Sequence, residues 1–247
     1  MLPYKGALMR SLCSLLFKTT TNYEENLTTL LALIEKTPDD ALIVAPEVCL
    51  TGFDYDHFDE VIAFATHAND AIKQVCQNRI VILTIIEKVG EKIYNNVKIF
   101  HKGEIVHQRG KVRLFHFGGE HHHFCESDDE DIKIIEIDGM KLGVLICFEL
   151  RFKALWQKLE GADIIAAPSW WGVLRSEQFK AITQTLAILN QCYVVTSDSA
   201  NAECTGLSGI ITPFGVDTRN ENRACLQVRY DKKEVQTMRR YLDVGIG

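Results

Sequence analysis

The sequence predicts an α/β fold, on two observations. Short runs rich in valine and isoleucine recur along the 247 residues at strand length. Between several of them, apolar residues return at the helical spacing i, i+3, i+4, i+7, and strands alternating with helices define this class. Hydrophobic residues make up 47% of the chain and charged residues 24%, so a large core can form beneath an ordinary surface.

Taken in order, residues 12–17 read as the first strand. Lys5 and Arg10 precede that apolar stretch, but it is short for an export signal, and Lys18 follows without a small-residue cleavage site. Leu27, Leu30, Leu31 and Ile34 lie on one helical face, whose start Asn22 with Glu25, or Thr21 with Glu24, could cap. Residues 41–45 and 80–86 are apolar runs of the kind found in strands covered on both sides. Residues 92–100 and 104–107 read as a hairpin turning at Lys102-Gly103. The acidic stretch 126–131 reads as a solvated loop. Residues 142–147 form the next strand, and Phe152, Leu155 and Leu159 mark a short helix stopped near Gly161. After strand 164–167, Phe179, Ile182, Leu186 and Leu189 mark another helix, followed by strands 193–196 and 209–212. With no linker or repeat in view, residues 1–247 read as one domain.

The net charge is -6, and no basic stretch is interleaved with aromatics, which argues against a nucleic-acid partner. No apolar run approaches the roughly 20 residues that span a bilayer, so no membrane role is expected. The eight cysteines are scattered through apolar segments, as expected of reduced thiols in a cytoplasmic protein.

Ligands of α/β folds bind beyond the carboxyl ends of the strands, and three residues stand there. Glu47 follows strand 41–45, which Pro46 ends. Lys111 follows the strand ending near Gln108. Cys147 closes an apolar strand ahead of a short helix, an elbow-like placement in which the helix start would favour thiolate. Each alone is more often ordinary: a paired surface acid, a solvated lysine, a packed thiol. Together they supply a base, a cation and a nucleophile, the minimum set for acyl transfer.

Three segments in this order resemble the carbon–nitrogen hydrolase (nitrilase) family. They are Ala45-Pro46-Glu47 through Thr51-Gly52-Phe53, Gly110-Lys111-Val112-Arg113-Leu114-Phe115, and Ile146-Cys147-Phe148-Glu149-Leu150-Arg151-Phe152. Support comes from Ala167-Pro168-Ser169-Trp170-Trp171, Asn190-Gln191-Cys192-Tyr193 and Pro213-Phe214-Gly215. Thr51-Gly52-Phe53 and the span from Lys111 to His121 resemble the omega-amidase-like branch. The resemblance implies a four-layer α-β-β-α sandwich of the nitrilase type and a Glu47-Lys111-Cys147 triad. It also implies a second glutamate, Glu120, that holds Lys111, and a homodimer. It implies hydrolysis of a small-molecule amide with release of ammonia, with no cofactor. An omega-amide of a short dicarboxylate, such as 2-oxoglutaramate, is the expected substrate. Nitriles, N-carbamoyl compounds and a binding module without activity are the alternatives. Lys153-Ala154, Thr185-Leu186-Ala187 and Leu189 depart from the family's usual residues.

Phe53, Phe148 (through its backbone N–H), Arg151, Trp170 and Trp171 are the candidate substrate contacts, one tryptophan being expected in the core. Arg151 is open to two readings, a partner for a substrate carboxylate or, slightly favoured, an ion pair with Glu149 or another acid. His116, His121, His122, His123 and Cys125 sit close to Glu120, but adjacent histidines do not readily converge on one ion and no metal motif accompanies them. No metal is expected.

Overall fold

The computed structural model describes residues 10–220 and 222–246. Its first sheet contains β1 (Ser11–Leu15), β2 (Leu42–Val44), β3 (Ile80–Val89), β4 (Lys92–His101) and β5 (Glu104–Gly110). The second contains β6 (Ile135–Ile137), β7 (Met140–Val144), β8 (Ile164–Pro168), β9 (Tyr193–Ser197), β10 (Gly209–Ile211) and β11 (Asp217–Arg219). The last strand, β12 (Cys225–Arg229), returns to the first sheet beside β1. The sheet orders are β12-β1-β2-β3-β4-β5 and β11-β10-β9-β8-β7-β6. In each, three parallel strands form the middle, β1-β2-β3 and β7-β8-β9, and antiparallel strands form the edges.

The layering follows from the period-two alternation of side chains along a strand. Leu12, Leu42 and Ile80 are in register across β1, β2 and β3 and face the second sheet. Their neighbours Cys13, Ile43 and Val81 face the opposite way, onto α1 (Tyr23–Glu35) and α2 (Phe58–Val75). The second sheet carries α3 (Lys153–Gln157), α4 (Ser176–Leu189) and α5 (Lys232–Tyr241) on its outer side, with Phe179 and Leu186 in the core beneath α4. The result is the α-β-β-α sandwich expected from the resemblance.

Local chemistry explains several boundaries. Asn22, not Thr21, caps α1, its side chain accepting from the N–H of Glu25 at 3.1 Å. The β4–β5 hairpin turns at Lys102 and Gly103, with φ of 53° and 75°, the left-handed pair that tight hairpins require. Strand β7 is shorter than the 142–147 expected. It ends at Val144, and Cys147 opens a 3-10 turn over Cys147–Arg151. The acidic loop is more tied down than a solvated reading implies, since Arg113 pairs with Asp129 at 2.5 Å and Lys158 with Glu130 at 2.6 Å. Among the described residues no helix is long and apolar enough to cross a membrane.

Candidate active site

Strand ends from both sheets meet at one edge of the sandwich. Glu47 leaves β2 through Pro46 and is fully buried, its N–H bonded to the carbonyl of Ser169 just beyond β8 at 3.2 Å. Lys111 directly follows β5, which runs to Gly110, past the end expected near Gln108, and its N–H donates to the Asn95 carbonyl at 2.9 Å. The Lys111 ammonium donates to Glu47 Oε1 at 2.7 Å and to Glu120 Oε1 at 2.8 Å, so the structure brings all three together. Glu120 Oε2 accepts from the N–H of Phe115 at 2.9 Å, which fixes the loop between Lys111 and Glu120.

The valences of this cluster do not close. Lysine has three N–H donors and uses two here. Glu47 Oε1 accepts from both Lys111 and the Asn95 side chain, at 2.8 Å from the latter, while Oε2 is buried with no hydrogen bond of full geometry. One donor and one acceptor are therefore left over. The Cys147 thiol lies beside them and acts on the Glu47 carboxyl as a hydrogen-bonding neighbour, over a contact too loose to count as a full bond. Cys147 itself has φ of 43°, a left-handed conformation that costs a residue with a Cβ about 1–3 kcal/mol. Val48, next to Glu47, shares that strain at φ 41°.

A second buried cluster, built on residues two positions from Lys111 and from Cys147, does close. Glu149 Oε1 accepts from Arg109 Nη1 at 2.9 Å and the Val112 N–H at 2.7 Å. Its Oε2 accepts from Arg109 Nη2 at 2.7 Å and the Ile146 N–H at 2.7 Å. One carboxylate thus ties the residue after Lys111 to the residue before Cys147. Sequence reasoning offered Glu149 to Arg151 instead. Arg109 takes that place because it sits on β5 beside Lys111, whereas Arg151 has passed the turn. Arg151 donates to Gln178 at 2.6 Å and stacks over Trp171 at 4.8 Å, and among the described residues it has no ion pair.

The electrostatics follow from burial and proximity. Burial raises the Glu47 pKa; Lys111 opposes this and Glu120 adds to it, and the net direction is up. Burial acts to lower the Lys111 pKa, but Glu47 and Glu120 outweigh it and hold the ammonium charged. Burial and then the Glu47 charge push the Cys147 thiol well above its ordinary range, beyond what Lys111 and the Trp170 N–H offset. This runs against the expectation that the helix start favours thiolate: burial holds the pKa of the sulfur up, next to a carboxylate whose pKa burial also raises.

Cys147 and Glu120 open onto a cavity of about 300 Å³. Phe53, Phe148, Arg151, Trp170 and Trp171, the five candidate contacts, all line it. Trp171 is 3% exposed and is the core member of its pair; its N–H is held by Asp198 Oδ1 at 2.8 Å. Tyr55, Phe115, Arg175 and Glu203 also line the cavity and were not among the candidate contacts; Phe115 closes one of the quoted motifs, and no signal in the sequence marked the other three. Of the histidines, His123 stacks on Tyr55 at 3.8 Å and His121 stacks with His116 at 4.4 Å. Among the described residues no three His, Cys, Asp or Glu side chains are grouped to hold a metal ion.

A sequence model of the carbon–nitrogen hydrolase family matches residues 9–239. The chain belongs to the carbon–nitrogen hydrolase (nitrilase) family. It is 26% identical over 243 residues to the deaminated glutathione amidase of Escherichia coli O157:H7, covering 92% of this chain and 93% of that one. It is 29% identical over 194 residues to the 2-oxoglutaramate amidase of Bacillus subtilis, covering 74% of each. Among solved structures it is similar to Saccharomyces cerevisiae Nit3, a nitrilase superfamily member, with a TM-score of 0.83 at 21% identity over 96% of this chain and 95% of that chain.

Proposed function

We propose that the chain hydrolyses a small-molecule amide through a thioester on Cys147, releasing ammonia. The observation that carries this reading is the unfinished cluster: a spare Lys111 donor and a spare Glu47 acceptor beside a protonated thiol at the foot of an aromatic cavity.

Each step uses one of these groups. Glu47, its basicity raised by burial, takes the thiol proton as Cys147 attacks the amide carbon. The oxyanion is met by the third N–H of Lys111 and by the Phe148 N–H, which stands in the first turn of a helix where backbone donors lack intrahelical partners. Losing one such donor raises a barrier by about 3–4 kcal/mol. Glu47 returns the proton to the departing nitrogen, and ammonia leaves. Water then gives its proton to Glu47 and attacks the thioester, and the thiol is restored. Glu120 keeps Lys111 in place throughout.

The substrate we favour is the omega-amide of a short dicarboxylate, such as 2-oxoglutaramate, with Arg151 facing its carboxylate. Supporting this are the 2-oxoglutaramate amidase among the relatives and the absence, among the described residues, of an acid paired with Arg151. We further propose a cytoplasmic homodimer. All eight cysteines are free thiols, which suits a reducing compartment. Val173, Leu174, Ile188 and Leu189 at the two ends of α4 expose 46–95% of their apolar side chains, a surface that a second copy would cover. Ammonia release from a panel of amides, nitriles and N-carbamoyl compounds tests the activity. Release from amides, lost in Cys147→Ala, supports the reading; release by the alanine variant removes it.

A further inference from the structure

Arg151 does not stand alone at the mouth of the cavity. Arg175, at the end of the 3-10 turn Val173–Arg175, lines the same space. Its guanidinium lies over the Phe115 ring, 5.3 Å from the centroid, as that of Arg151 lies over Trp171 at 4.8 Å. Arg175 is folded back over its own turn. A Cβ at Gly172 would sit 2.9 Å from Arg175 Nη2, so the glycine makes room for this pose. Trp171 Nε1 donates to the Arg175 carbonyl at 3.1 Å, which joins the turn to the wall that supports Arg151. Both guanidinium groups are thus seated on aromatic faces and aimed at one cavity.

Among the described residues neither has an ion pair. Arg109, Arg113 and Arg219, by contrast, each hold a carboxylate at 2.5–2.7 Å. Glu203 lines the cavity as well but bonds to neither arginine. The two cations feel each other: after burial, Arg175 is the next cause that lowers the Arg151 pKa. Two like charges that act on each other across one cavity, neither of them ion-paired among the described residues, repel. An anion placed between them relieves that repulsion, and the planar fork of arginine matches a carboxylate.

We propose that Arg175 is a specificity-determining residue, a second guanidinium that joins Arg151 in gripping the substrate's free carboxylate. The inference rests on the amidase reading and deepens it. The substrate would lie across the cavity, its amide at Cys147 and its carboxylate under the two arginines.

The experiment measures glutarate binding by titration calorimetry to the full chain and to Arg175→Gln, Arg175→Lys and Arg151→Gln. It also measures KM and kcat for 2-oxoglutaramate. A hydrogen-bonded charge is worth about 1.5–3 kcal/mol, so Arg175→Gln should weaken glutarate about 10–100-fold and raise KM in step, with kcat moving far less. Arg175→Lys, which keeps the charge and loses the fork, should fall between. A Gln variant that binds glutarate as tightly as the unaltered chain overturns the proposal, and so does an unaltered chain that ignores glutarate. If the glutamine variant does not fold, the lysine variant decides by the same readout. Failure of the amidase reading shows separately, as ammonia release that survives Cys147→Ala, while the binding measurement still judges Arg175.

Discussion

Two buried carboxylates, Glu149 and Glu47, meet different fates. Glu149 and Arg109 form a neutral pair in which both oxygens accept two bonds each, so nothing is left to react. Glu47 and Glu120 share Lys111, leaving one acceptor oxygen and one ammonium hydrogen without partners. The residue types and the burial are nearly the same. What separates scaffold from chemistry is the unfilled valence: a satisfied buried network rigidifies, and an unsatisfied one is poised to bind or move a proton.

The comparison is broken most severely at Cys147. Cys147→Ala should cost about 10⁴-fold or more in ammonia release, and Cys147→Ser nearly as much, with the fold intact by circular dichroism. Next, Glu47→Gln should lower kcat by about 10²–10⁴-fold, since it removes a positioned base. Its effect on stability should be small, because the raised pKa shows that the charge at Glu47 is poorly accommodated. Glu149→Gln should behave in the opposite sense. It strands the Arg109 charge in a buried site and should cost about 3–5 kcal/mol in denaturant unfolding. If Glu47→Gln proved the less stable of the two, the distinction between the clusters would be wrong.

The pH profile sharpens the same contrast. Glu47 must be ionised to act as base, and its pKa lies above the ordinary carboxylate range because of burial. Activity should therefore fade as pH drops while still above the usual glutamate value of about 4.3. A kcat/KM profile that stays flat down to that value would remove Glu47 from the role. The smallest effect lies away from both clusters: Asn22→Ala should cost about 1 kcal/mol by loss of the α1 cap, with kcat unchanged.

How much of this could be read beforehand depends on the signal each element carried. Strands β2, β3, β8 and β9 are buried on both faces, so their apolar runs were plain. Helix α1 announced itself through its leucines. Helix α2 did not, because two of its four buried residues, Ala65 and Ala68, are alanines that leave a faint stripe. Helix α5 buries only Val235, and β11 is a three-residue edge strand with no apolar side chain. The elbow at Cys147 was anticipated, but β7 ends at Val144, three residues before it, although the apolar run continues to Ile146.

At the site, Glu47, Lys111, Glu120 and Cys147 stood in recognisable motifs. Their partners did not. Asn95 comes from a strand nearly fifty positions away from Glu47, and Arg109 reaches Glu149 across forty. The resting state of the sulfur was misjudged for a related reason: sequence shows which charges are near, and only the fold shows that burial outweighs them.

The central claim is tested most directly by weighing the intact protein. It is incubated with whichever amide of the panel it hydrolyses, quenched in acid and measured by mass spectrometry, with Cys147→Ala alongside. A thioester on Cys147 predicts a mass gain equal to the acyl group, mapped to the peptide containing residue 147 and absent from the alanine variant. An adduct that persists in that variant, or maps to another cysteine, would contradict it.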